Sequence, residues 1–379
     1  MDEIETWEDL NCKTSLMRGI YSYGFENPSP IQKKAIVPML GTKDLIAQAQ
    51  SGTGKTGCFT VGILEKVDLT LNYTQSIILA PTRELAEQIM NVIKAIGIHM
   101  KGLKLHLLVG GSKSEIDVRH LKYEIPHVIV STPGRLYDMF TRGVIDTQHT
   151  KMLIIDEADE MLSQGFKDQL YDIFKYLPQD IQVCLFTATI PSEVETISTK
   201  FMRDPIKILV KKESLTLEGI KQYYINIDND QNKFDVICDL YSSLTVSQTI
   251  IYCNSIPRVE RLYNDMIKEN YPVSYIHSGL DKETRNNNFN EFKSGKKRIL
   301  ISSDITSRGI DIQQVSTVIN FDIPKNVHSY LHRIGRSGRW GRKGCGINLV
   351  NNYDIKNLKN IETHYSTEIN ELTNDWVTR

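Results

Sequence analysis

The chain has 379 residues, 40% of them hydrophobic and 24% charged, with a formal net charge of −1. That length exceeds what one hydrophobic core organises, so two domains are expected, and a charge so near zero excludes a globally basic nucleic-acid binder, leaving room only for a local basic surface. No apolar run reaches the roughly 18–20 residues that span a bilayer, the acidic start Met1–Leu10 lacks a signal-peptide core, and Cys12, Cys58, Cys184, Cys238, Cys253 and Cys345 form no CxxC pair and read as reduced thiols, not metal ligands.

In chain order, short β-branched runs recur at Asp44–Ala47, Ser76–Ala80, Leu105–Val109, His127–Ser131, Lys151–Ile155 and Gln182–Phe186. Continuous apolar character between turn residues predicts strands covered on both faces in a parallel sheet. Helical patterns lie between them: Glu84–Ile96 places Leu85, Ile89, Val92, Ile93 and Ile96 on one stripe. Around Leu209–Gly219 the sequence turns polar and reads as a linker. The pattern then restarts at Thr249–Cys253, Val273–Ile276, Arg298–Ser302, Val315–Asn320 and Gly346–Val350. The expected fold class is α/β, with an amino-terminal domain over 1–211, a linker over 212–218 and a carboxyl-terminal domain over 219–379. Each is a parallel sheet flanked by helices, with ligands at the carboxyl ends of the strands or between the domains.

Three clusters carry chemistry. The run Ala49–Thr56 (AQSGTGKT) follows a predicted strand and precedes a predicted helix, the setting of a phosphate-binding loop. Its Ser51, Gly52, Thr53 and Gly54 would wrap the phosphates. The two glycines let backbone N–H groups turn inward, Lys55 reaches the β- and γ-phosphates, and the Thr56 hydroxyl ligates Mg²⁺. Ala49 stands where the general motif has Gly. The tetrad Asp156-Glu157-Ala158-Asp159 ends the strand Lys151–Ile155. Alone it would read as a solvated helix start. Beside a phosphate loop, Asp156 suits a second Mg²⁺ anchor and Glu157 a water-orienting base. Lastly, His332–Arg339 (HRIGRSGR) spaces Arg333, Arg336 and Arg339 by three, which on a helix would give one shared face. Because arginine forks onto phosphate oxygens, Arg336 and Arg339 are the candidates to meet a transferring γ-phosphate.

With these stand Phe25 and PSPIQ (Pro28–Gln32), PTRELA (Pro81–Ala86), Gly110-Gly111, TPGR (Thr132–Arg135), TAT (Thr187–Thr189) and SRGID (Ser307–Asp311). In this order the set resembles the DEAD-box RNA helicases from Trp7 to about Val350, and most of all their initiation-factor-4A branch with its splicing-linked paralogue. The resemblance implies two tandem RecA-like P-loop domains that use ATP and Mg²⁺. It also implies sequence-independent RNA binding by a cytoplasmic or nuclear monomer, with a scaffold protein bridging the lobes. Gln32 would read adenine through its carboxamide, Phe25 would stack near the base, and Gly309 and Asp311 would meet the nucleotide from the second lobe. Pro81, Thr82, Arg83, Gly110, Gly111, Thr132, Pro133, Gly134, Arg135 and Ser303 would line the RNA backbone, and Thr187 and Thr189 would couple hydrolysis to strand separation. The implied mechanism is closure of the two lobes around ATP and RNA, bending one strand to unwind a short duplex without processive translocation. An ATP-locked RNA clamp is the alternative. The chain departs from the family pattern at Thr187 (usually Ser), Ser303 (usually Thr), Lys282 (often Gln) and Pro257 (often an RNA-contacting Arg). Pro257 fits the first turn of a helix predicted over Arg258–Asn270.

Overall fold

The computed structural model describes residues 3–49, 52–111, 113–163, 165–209, 220–243, 248–304, 315–337 and 344–372. The chain divides into two compact units, Met1–Lys211 and Lys212–Arg379. The expected linker at 212–218 lies outside the described residues.

The first unit holds strands β1 (Leu45–Gln48), β2 (Ser76–Leu79), β3 (Leu105–Leu108), β4 (Val128–Ser131), β5 (Met152–Asp156), β6 (Gln182–Thr187) and β7 (Ile206–Leu209). Its helices are α1 (Thr14–Ser22), α2 (Pro30–Leu40), α3 (Lys55–Lys66), α4 (Arg83–Ile96), α5 (Ser114–Tyr123), α6 (Pro133–Thr141), α7 (Ala158–Ser163), α8 (Lys167–Phe174) and α9 (Ser192–Phe201). The strands pair in parallel in the order β3-β4-β2-β5-β6-β1-β7. Strand side chains alternate between two cores, as the period of two requires. Ile154 and Cys184 join the core built with α1–α4, while Leu153, Ile155 and Leu185 join the one built with α5–α9.

The second unit repeats the plan with strands β8 (Ile220–Asn226), β9 (Thr249–Tyr252), β10 (Val273–Ile276), β11 (Ile299–Ser302), β12 (Thr317–Asn320), β13 (Gly344–Val350) and β14 (Asn370–Glu371). Its helices are α10 (Lys233–Ser243), α11 (Ile256–Lys268), α12 (Lys282–Lys293), α13 (Val327–Ile334) and α14 (Ile355–Tyr365). The sheet order is β10-β11-β9-β12-β13-β8-β14, again parallel.

The sequence reading missed β7, β8 and β14. In β7 and β8 buried and part-exposed positions are mixed, because both lie toward the margin of a sheet and only one face is well covered; β14 is only two residues long. Leu209, assigned to the linker, ends β7. Helix α11 starts at Ile256 rather than Arg258, with Ser255 as its N-cap and Pro257 in its first turn. Among the described residues no helix is long and apolar enough to cross a membrane.

Candidate active site and nucleic-acid interface

The parallel topology sorts the motifs. At the carboxyl ends of the neighbouring strands β5, β6 and β1 stand the acidic tetrad, Thr187–Thr189 and the phosphate loop. At those of β3, β4 and β2 stand Gly110-Gly111, Thr132–Arg135 and Pro81–Arg83. Segments interleaved along the chain thus fall into two groups on one rim, where ligands of open α/β sheets bind.

In the first group, Ala49 donates its N–H to the Thr187 carbonyl (3.0 Å). Gly52 and Gly54 take φ values of 82° and 99°, a region that penalises any side chain. A Cβ on Gly54 would lie 2.8 Å from Gln32 Nε2, and one on Gly57 would lie 2.7 Å from both Gln32 Nε2 and the Phe25 ring. Phe25 and Gln32 therefore rest directly on the loop and the first turn of α3. Gln32 Oε1 accepts from the Ser29 N–H (2.7 Å) and Nε2 donates to the Gly54 carbonyl (3.2 Å), so the carboxamide joins the start of α2 to the loop. Each end of the amide keeps one further hydrogen-bonding position, the acceptor–donor pair expected to face adenine. Phe25 stacks parallel to Trp7, centroids 6.0 Å apart, and edge-on to Tyr23 at 4.9 Å.

Lys55, the first residue of α3, donates to Glu157 Oε1 at 3.1 Å, and both side chains are buried. Glu157 has φ = 50°. Its N–H donates to Asp156 Oδ1 (3.0 Å). Burial, and then the charge of Glu157, push the Asp156 carboxyl up to about 7. Two buried carboxylates sharing one lysine give an oxygen-donor pair whose charged form a cation would favour. The described residues contain no cluster of three or more His, Cys, Asp or Glu suited to a metal, and Mg²⁺ held by one or two carboxylates plus phosphates needs none. Thr56 lies in the first turn of α3, partly exposed. Thr187 Oγ1 donates to the Thr189 carbonyl (2.7 Å), while Thr189 donates to Asp159 Oδ2 from Oγ1 (2.6 Å) and from N–H (3.2 Å). Sequence reasoning quoted Asp159 within its tetrad but assigned it no task; its place three residues after Asp156 was the available signal.

In the second group, Pro81 is buried and Thr82 caps α4, its hydroxyl accepting from Leu85 N–H (3.2 Å). Arg83 lies over Gly110, where a Cβ would stand 3.0 Å from Nη2. Gly111 is exposed with φ = 92°. Thr132 donates its N–H to the Leu108 carbonyl (3.2 Å), Pro133 opens α6 and Gly134 is exposed. Arg135 is engaged internally: its side chain is 9% exposed and pairs with Asp117 of α5.

In the second unit, Ser303 follows β11, and its carbonyl accepts from the Ser302 hydroxyl (2.6 Å). Arg333 and Arg336 do not share a helical face. Helix α13 stops at Ile334, so Arg333 is on the helix and Arg336 is in the turn after Gly335. Arg333 is fully buried, donating to Asp304, Asn320 Oδ1, the Asp322 carbonyl and Asn254 Oδ1. It thereby fastens together the carboxyl ends of β11, β12 and β9. Arg336 is 5% exposed, with Nε directed to the His332 carbonyl (3.3 Å). Ser51, Gly309, Asp311 and Arg339 lie outside the described residues, as does the side chain of Lys282.

Residues 29–197 match the DEAD/DEAH box helicase family, and residues 232–341 match the helicase conserved C-terminal domain. The chain is 51% identical over 369 residues to the eukaryotic initiation factor 4A of Caenorhabditis elegans, covering 97% of this chain and 91% of that protein. It is 50% identical to the ATP-dependent RNA helicase eIF4A of Schizosaccharomyces pombe, covering 97% and 94%. Among solved structures, S. cerevisiae Dbp5 bound to RNA and ADP BeF3 superposes with a TM-score of 0.91 at 33% identity, covering 98% of this chain and 97% of that one.

Proposed function

The chain belongs to the DEAD-box family of ATP-dependent RNA helicases, and from that membership we propose a residue-level mechanism: ATP hydrolysis by the phosphate loop and acidic tetrad drives local, non-processive opening of RNA duplexes. The observation that carries it is the buried Lys55–Glu157 contact, which joins the phosphate loop after β1 to the tetrad after β5 across the intervening β6, with Asp156 next to Glu157 in the chain. Lys55 and the N–H groups around Gly52 and Gly54 bind the β- and γ-phosphates, which draw Lys55 away from Glu157 and leave that carboxylate to orient the attacking water. Thr56 and Asp156 are the residues that would hold Mg²⁺. When bound, the ion neutralises charge on the phosphate oxygens.

Phe25 and Gln32 receive the adenine, Gly309 and Asp311 the nucleotide from the second unit, and Arg336 with Arg339 steadies the transferring phosphoryl group. Pro81–Arg83, Gly110-Gly111, Thr132–Arg135 and Ser303 form the RNA track, whose small residues and backbone N–H groups suit contacts that ignore sequence. Thr187 and Thr189, the latter bound to Asp159 of the tetrad, couple hydrolysis to strand separation. The likeness to two initiation factors supports a role beside translation; the chain would act there in the cytoplasm as a monomer whose lobes a scaffold protein bridges. ATP turnover with and without RNA, and unwinding of matched RNA and DNA duplexes, test the proposal. Stimulation by RNA and selective opening of RNA are expected; equal handling of DNA would count against recognition of the 2′-hydroxyl.

A further inference from the structure

We propose that Asp117 is a positioning residue for RNA binding and that Arg135 is its strut, not a fork on RNA phosphate; this rests on the reading of the β2, β3 and β4 loops as the RNA track. Asp117 sits on α5, a surface helix whose sequence predicts a solvated acid, yet it is only 6% exposed. Both of its oxygens are committed. Oδ2 accepts from Arg135 Nη1 at the start of α6, and Oδ1 faces His106 Nε2 of β3 at 3.3 Å. His106 in turn stacks on His120, centroids 4.3 Å apart and 26° from parallel. Burial and the neighbouring His120 hold His106 below the ordinary histidine range, so the charge of Asp117 is answered by Arg135.

The consequence follows from where these helices begin. α5 follows the Gly110-Gly111 loop, and α6 opens at Pro133 inside Thr132–Arg135. One carboxylate therefore fastens the first turns after two loops whose exposed Gly111 and Gly134 offer backbone to a phosphate. Arg83 lying over Gly110 brings in the third loop. An RNA phosphate that took Arg135 Nη1 would have to displace a buried carboxylate and leave it without that counter-charge, a costly exchange. Arg135 instead sets the spacing of the loops, and the backbone makes the contacts.

The test compares Asp117→Ala, Asp117→Glu, Arg135→Ala and the double alanine variant in the full chain. Thermal melting, ATPase without RNA, the RNA KM and kcat of stimulated ATPase, and RNA affinity across a salt series are read on each. Each single alanine variant is expected to raise the RNA KM and weaken affinity about tenfold, the size of one lost charge-assisted hydrogen bond. For Asp117→Ala and Asp117→Glu, kcat at saturating RNA and basal ATPase should stay within about twofold, since no group on the nucleotide phosphates has changed. The double variant should be no worse than either single one, the salt slope should hold, and Asp117→Glu should restore most of the affinity. The proposal is overturned if Arg135→Ala lowers the salt slope by about one, the mark of a lost phosphate contact, while Asp117→Ala leaves RNA binding unchanged or tighter. It is also overturned if the variants lose melting temperature, kcat and KM together. Absence of any RNA stimulation in the unmodified chain would instead remove the helicase mechanism itself.

Discussion

Glu157 holds φ = 50° where strand β5 gives way to α7, a conformation that costs a non-glycine residue about 1–3 kcal/mol and persists where its surroundings impose it. Here Lys55 grips the side chain and Asp156 the N–H, so the strain aims a carboxylate at the phosphate loop. Glu157→Gln is therefore expected to keep nucleotide binding and cut RNA-stimulated turnover about 100-fold or more, and Lys55→Ala to lose turnover to a similar degree; comparable turnover in Glu157→Gln would remove the water-orienting role. Gln32 combines two tasks that its sequence position does not separate, since the carboxamide proposed to read adenine also binds Ser29 and Gly54. Gln32→Ala should narrow the preference for ATP over GTP and lower stability by about 1 kcal/mol, read by turnover with both nucleotides and by melting. At Thr187 the hydroxyl is already committed to the Thr189 carbonyl (2.7 Å), a bond serine can equally make. Thr187→Ser should leave ATPase and unwinding within about threefold, because one net hydrogen bond is worth ~1 kcal/mol. The double change Thr187→Ala with Thr189→Ala removes both hydroxyl bonds, including the shorter of the two Thr189–Asp159 bonds, and should retain much of the ATPase while losing unwinding. Parallel loss of both activities and of melting temperature would show a merely structural turn.

At the scale of elements, buried strands were the most legible feature: the interiors of β1, β2, β4–β6 and β9–β13 fall within apolar runs, as expected of strands with both faces covered, whereas the half-buried edge strand β3 was legible through its leucines alone. Strands covered on one side, β7 and β8, carry Lys207, Lys221 and Gln222 and lack that signature. The phosphate loop and tetrad were legible because their chemistry demands particular residue types at fixed spacing. Asp117 and Arg333 were not, since nothing in a sequence separates a charge that faces solvent from one that faces a partner brought up by topology. The spacing of Arg333, Arg336 and Arg339 suggested one helical face, but α13 ends after Arg333 and makes that arginine the fastening of three strands. Arg333→Lys keeps the charge and loses the fork. It should destabilise the second unit by on the order of 3 kcal/mol, through acceptors left buried without donors. Melting followed by a probe in that unit checks this; a shift under about 2 °C, less than 1 kcal/mol would give a unit of this size, would contradict it.

At the scale of the whole molecule, the proposed mechanism takes the phosphate loop, the tetrad and most of the RNA track from the first unit, and Arg336 and Ser303 from the second. The net charge of −1 gives neither ligand a strong long-range attraction, and on the proposed mechanism tight binding of either draws on groups from both units. Organising those groups costs free energy that one ligand bears alone and two ligands share. Linkage then requires ATP to tighten RNA by the same factor by which RNA tightens ATP, with coupling typically worth about 1–3 kcal/mol, or roughly 5–150-fold. RNA affinity at fixed salt should rise within that range when a non-hydrolysable ATP analogue is added, and the affinity for the analogue should rise equally when RNA saturates. Because hydrolysis removes the γ-phosphate from the shared set of contacts, ADP should give little of this tightening. Equal RNA affinity with the analogue, with ADP and with no nucleotide would mean that each unit binds its ligand independently, and hydrolysis would then have no means of releasing the strand.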